Sequence, residues 1–144
     1  MTRLAEAMQP LRVFIDGHNL LFRLGALYGP EGREPLKQDL EALLMRWPSA
    51  SARLWFDAEE SQEIEVHDRF QVSYAGGKGR DKADKAILQT LWDERLESRP
   101  PTFVVSDDRG VWRRALGLRG IRVSCYEFRC VLRMEGPGTE AEHH

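Results

Sequence analysis

Three apolar runs in this chain each stop on an aspartate: Val13-Phe14-Ile15-Asp16, Leu54-Trp55-Phe56-Asp57 and Phe103-Val104-Val105-Ser106-Asp107. Runs of this length without alternation read as strands covered on both faces. Phe70, Val72 and Tyr74 alternate with polar residues, the pattern of a half-exposed edge strand, and Ile121 to Ser124 form a second such edge. Helical spacing fills the intervals. It is weak through Leu20, Leu21 and Leu24, and clear through Leu36, Leu40, Leu43, Leu44 and Trp47, where Pro48 ends it. It is clearest from Asp81 to Ser98, with Ile87, Leu88, Leu91, Trp92 and Leu96 as the buried stripe and Pro100-Pro101 as the stop. Arg109 to Leu118 reads as a helix terminated by Gly120, and a short last helix covers Tyr126 to Met134. Ala58 to Asp68 is acidic and ambiguous.

Strands alternating with helices predict a three-layer α/β/α domain whose five-stranded sheet is mainly parallel with right-handed crossovers. Its strands cover residues 11–16, 53–57, 70–74, 102–107 and 121–124. The most apolar of them belong at the centre, which gives the order 3-2-1-4-5. That order places the topological switch between the first and fourth strands, where ligands bind outside the carboxyl ends. Asp16 and Asp107 become neighbours across that crevice.

Composition narrows the picture. At 144 residues and 42% hydrophobic, the chain has the size of one domain with its own core. The expected layout is an N-terminal arm over residues 1–10, the folded domain over 11–134, and a disordered tail over 135–144 whose His143-His144 reads as a tag remnant. A net charge of −2 leaves no overall basic field for nucleic acid, so any such partner has to be held locally. No apolar run approaches the length of a membrane span, and the N-terminus does not read as a signal peptide, which predicts a cytoplasmic protein. Cys125 and Cys130 fit no zinc or redox spacing and are expected to be reduced, non-ligating thiols.

The aspartates carry the candidate chemistry. An ionised carboxylate at the end of a buried strand is costly to desolvate unless something positive compensates it, and a divalent cation would do so. For Asp16 the competing role is an acceptor for amides of the following turn. Asn19 either orients a carboxylate or phosphate or caps the following helix. Asp84 continues the apolar stripe of its helix and so faces the crevice as a metal ligand. Asp81, one turn earlier, is the better helix cap, with metal binding as its second reading. At the next turn Asp107 is expected to point inward and Asp108 to cap or support it. Asp57 is either a ligand or the cap of a short helix. Hard oxygen donors of this kind suit Mg²⁺ or Mn²⁺, one ion or two, and metal-assisted hydrolysis of a phosphodiester. Lys78, Arg80, Lys82 and Lys85 flank one acidic segment, and Arg109, Arg113 and Arg114 follow the other. They would hold an RNA backbone around the acidic centre, unless they are merely solvated helix faces. Ala75 to Arg80 lacks the spacing of a nucleotide P-loop, no histidine spacing suggests zinc hydrolysis, and Ser106 lacks a nucleophile elbow.

In order and spacing, Ile15-Asp16-Gly17-His18-Asn19, Phe56-Asp57-Ala58, Asp81-x-Ala83-Asp84 and Val105-Ser106-Asp107 together resemble the YacP-like branch of the NYN domains, relatives of the PIN-domain nucleases. The likeness covers residues 11–133. It implies a PIN-like sandwich and a Mg²⁺- or Mn²⁺-dependent endoribonuclease, with ribosome-linked cleavage of messenger RNA. Asp16, Asp84 and Asp107 match the family's acidic positions, and Asn19 and Asp57 match recurrent polar ones. Two positions depart from the pattern. His18 stands where Tyr or Asn is common, and the chain stops soon after Met134, where relatives often continue into a basic helical extension, which bears on ribosome association more than on cleavage. Two other functions compete: a catalytically silent RNA- or ribosome-binding module with the same fold, and a small-molecule phosphohydrolase, for which the usual Asp-x-Asp strand end is missing.

Overall fold

A computed structural model describes residues 12–28, 32–76, 82–94 and 100–133. The expected terminal arm and tail, Lys78, Arg80 and Asp81 lie outside them. Strands β1 (Arg12–Asp16), β2 (Ser51–Asp57), β3 (Gln62–His67), β4 (Phe70–Ala75), β5 (Thr102–Val105) and β6 (Ile121–Val123) form one sheet in the order β3-β4-β2-β1-β5-β6. Five run parallel, and β3 pairs antiparallel with β4. The helices are α1 (Gly17–Tyr28), α2 (Arg33–Arg46), α3 (Lys82–Asp93), α4 (Arg109–Gly117) and α5 (Cys125–Leu132).

The parallel order is the expected one; the count and one edge are not. A sixth strand, β3, lies outside β4, so Phe70 to Ala75 is an inner strand and the sheet has six members rather than five. Hydrophobic patterning does not reveal β3 because its first five residues are all exposed, including Ile64 and Val66. The main-chain ladder to β4, closed by the Asp68-Arg69 turn, holds it in place of a buried face.

Side-chain alternation divides the core in two. Val13, Ile15, Leu54, Phe56, Val72, Phe103 and Val105 pack with Leu20 of α1, Leu36, Leu40 and Leu43 of α2 and Phe128 of α5. Phe14, Trp55 and Val104 point the other way, onto Ala83, Ile87 and Leu91 of α3 and Val111 and Ala115 of α4. The sheet therefore lies between two helical layers. Helix ends follow local chemistry. Ser124 and Glu127 form a capping box that starts α5, which makes Ser124 a cap and not the end of β6. After α4 the left-handed position falls on Arg119, at φ 60°, and not on the expected Gly120. Gly120 instead lies close under the helix, where a Cβ would stand 3.2 Å from both the Ala115 carbonyl and Val104.

Candidate active site

The parity that sorts the core also sorts the carboxylates. Along β1, Asp16 is in phase with Phe14, and along β2, Asp57 is in phase with Trp55, so both belong to the face covered by α3 and α4. Carried past the end of β5, the same alternation puts Asp108 in phase with Val104, and Asp107 in phase with Val105 on the opposite face. Asp84 sits in the first turn of α3, over the same rim. Asp16, His18, Asn19, Asp57, Asp84 and Asp108 accordingly line one small depression of about 50 Å³ outside the carboxyl ends of β1, β2 and β5.

Asp107 is not among them. Its Oδ1 accepts from the Cys125 amide at 2.9 Å, at the start of α5, and its Oδ2 lies 3.5 Å from Nε of Arg23. Asn19 joins the two sides of the rim: its Oδ1 accepts from the Asp107 amide at 2.8 Å and from the Cys125 thiol at 3.3 Å. It therefore positions the turn that carries Asp108, and its own backbone N–H donates to Asp16 at 3.1 Å. Neither Arg23 nor the inward role of Asp108 follows from the apolar runs, although the parity of Val104 and Asp108 is a signal for the latter.

Burial, then the negative charge and hydrogen bonding of Asp107, push the Cys125 thiol up to about 12. A thiol held protonated and buried is a poor nucleophile. Native protein treated with iodoacetamide at mildly alkaline pH should be alkylated at the exposed Cys130 and not at Cys125, as read by peptide mass spectrometry. Equal labelling of both would contradict this packing.

Three helices begin at the depression. The Asp16 carboxylate accepts inside the first turn of α1, Asp57 Oδ1 accepts from the Ala83 amide of α3 at 2.7 Å, and Asp108 Oδ1 accepts from the Val111 amide of α4 at 3.1 Å. The positive ends of these helices offset part of the cost of an Asp16 side chain that is only 3% exposed. Four of the six residues that line the depression are aspartates, whose oxygens are the donors that a hard divalent cation takes. Among the described residues, however, no three acidic, histidine or cysteine side chains stand together as a ready ligand cage. The donor set fits Mg²⁺ or Mn²⁺ in kind; side chains now turned to helix amides would have to turn to the ion.

The predicted bases are dispersed. Lys82 donates to the Ala58 carbonyl at 2.6 Å, and Lys85 lines an outer groove between α3 and α4 with Leu88, Trp92 and Arg114. Arg109 and Arg113 line a different groove, with Trp112, Leu116 and Arg122.

The arrangement of this sheet is shared with a solved structure. Rae1 (YacP) from Bacillus subtilis superposes with a TM-score of 0.63 over 84% of this chain and 73% of that one, at 20% sequence identity. The fold is YacP-like. Scanned against protein-family profiles and curated sequences, the chain matches none. Among the described residues, no helix is long and apolar enough to cross a membrane.

Proposed function

We infer that this protein is a divalent-metal-dependent endoribonuclease that hydrolyses phosphodiesters of single-stranded RNA, with ribosome-engaged messenger RNA as its target. The observation that carries this is the gathering of Asp16, Asp57, Asp84 and Asp108 on one depression at the switch point of a YacP-like sheet. Asp16, Asp84 and Asp108 would hold the ion, with Asp57 beside them. Asp107 keeps α5 and Arg23 in place. A bound Mg²⁺ or Mn²⁺ supplies an acidified water and neutralises charge developing on the phosphate. The chain's own contribution is orientation: Asn19 fixes the Asp107 amide, Ser106 Oγ accepts from the Asp108 amide at 3.1 Å, and the helix starts hold the carboxylates at the rim.

The test is cleavage of a fluorescent RNA by purified protein in Mn²⁺, with an EDTA control. Millimolar Mn²⁺ should also raise the melting temperature by several degrees, because the ion binds the folded state alone. Cleavage unaffected by EDTA, with no shift in melting, would sink the metal role. A second reading, an RNA- or ribosome-binding module without catalysis, draws on the hydrogen bonds that tie Asp16, Asp57 and Asp108 to helix amides. RNA that stays intact while bound equally well with and without metal would select it.

A further inference from the structure

Helix α4 and strand β6 present a basic surface beside the acidic depression. From Arg109 to Tyr126 the sequence has five arginines and no carboxylate, in a chain whose net charge is −2. Arg109, Arg113 and Arg122 are exposed and line one open groove with Trp112 and Leu116. Among the described residues none of these three arginines is paired with a carboxylate. Arg122 stacks on Trp112, its guanidinium carbon 3.3 Å from the ring centroid. The indole N–H of Trp112 donates to the Ser106 carbonyl, so the groove is tied to the turn that carries Asp108.

Unpaired guanidinium groups repel one another, and a polyanion relieves that repulsion. The planar Arg–Trp pair adds a flat platform on which a planar partner can stack. An acidic peptide offers charge without flat faces, and a duplex hides its base faces in the stack. A single strand offers both. Arg109 and Arg113 are one helical turn apart, about 6 Å of rise, comparable with the separation of successive phosphates in an extended strand. The groove measures about 620 Å³ against about 50 Å³ for the depression, so of these two the groove, and not the depression, has room for a nucleotide base.

We propose that the groove of Arg109, Trp112, Arg113, Leu116 and Arg122 is a binding track for single-stranded RNA, holding nucleotides that flank the position over the acidic depression. This rests on the nuclease reading for its biological substrate, but its test does not need cleavage. Anisotropy of a short fluorescein-labelled oligouridylate is measured in EDTA across a salt series. Arg113→Glu and Arg122→Glu should each weaken binding about tenfold and flatten the salt dependence by about 0.7 in log–log slope for every phosphate that is no longer neutralised. Trp112→Phe, which keeps a ring, should bind better than Trp112→Leu. Arg122→Gln guards against a folding defect in the charge reversal, and melting curves are recorded for every variant.

Wild-type protein that does not bind the oligouridylate, affinity unchanged in the double Arg113→Glu/Arg122→Glu variant, or displacement by polyglutamate or hairpin duplex as effective as by single strand would each overturn the track. In Mn²⁺ the same variants should raise KM more than they lower kcat. Binding that depends on the groove in a protein that cuts nothing would leave the track and remove the nuclease. Cleavage and binding that ignore the groove variants would do the reverse.

Discussion

Asp16→Asn is expected to lower RNA cleavage on the order of 10²–10³-fold, the range found when one preorganised electrostatic group is removed from an active site, while leaving the fold intact. Asparagine keeps an oxygen for the Asn19 amide, so the first turn of α1 retains its acceptor. It loses the charge that a cation requires. Asp16→Ala would confuse the two effects, since removing a capping acceptor costs about 1 kcal/mol by itself. The same logic separates two adjacent residues. Asp108→Asn should match Asp16→Asn in its loss of cleavage, because Asp108 faces the depression. Asp107→Asn should retain most activity, because its oxygen would still accept from the Cys125 amide. Single-turnover cleavage, with melting temperatures alongside, measures all three. Asp107→Asn as damaging as Asp108→Asn would mean that the Asp107 side chain turns from α5 into the site when RNA or metal binds.

How far this site can be read from the sequence depends on which physical cue marks each residue. Asp16 and Asp57 are visible because they end runs whose burial is evident from composition, and Asp84 because it continues a helical stripe. The choice between Asp107 and Asp108 needs the phase of the strand, not its end. Val105 belongs to the layer of α1, α2 and α5, and Asp107 follows it there. Strand β3 is hidden for a different reason: its register is fixed by hydrogen bonds to β4, with no buried face to impose a pattern. The need for a cation is likewise overstated by charge alone, without the three helix starts that only the folded chain brings to the rim.

Gly17 lies next to Asp16, and Gly17→Ala is expected to damage stability and cleavage together. A Cβ there would stand 2.5 Å from a ring carbon of Phe56 and 2.8 Å from the carbonyl oxygen of Trp55. Phe56 is fully packed in the core, and β2 is hydrogen-bonded between β1 and β4, so neither neighbour has room to retreat. The start of α1 must lift away from β2 instead, carrying Asp16 and Asn19 with it. Overpacking of this kind costs about 2 kcal/mol, and displacement of two rim residues should reduce cleavage more than the stability loss alone accounts for. Gly25→Ala supplies the control in the same segment, just past the kink at Leu24, since its Cβ would meet nothing within 4 Å; it should be neutral or stabilising by about 0.5 kcal/mol. Urea unfolding and single-turnover cleavage of the two variants, measured side by side, decide the matter. Wild-type behaviour of Gly17→Ala would show that α1 does not approach β2 this closely, and the placement of Asp16 at the rim would lose its structural basis.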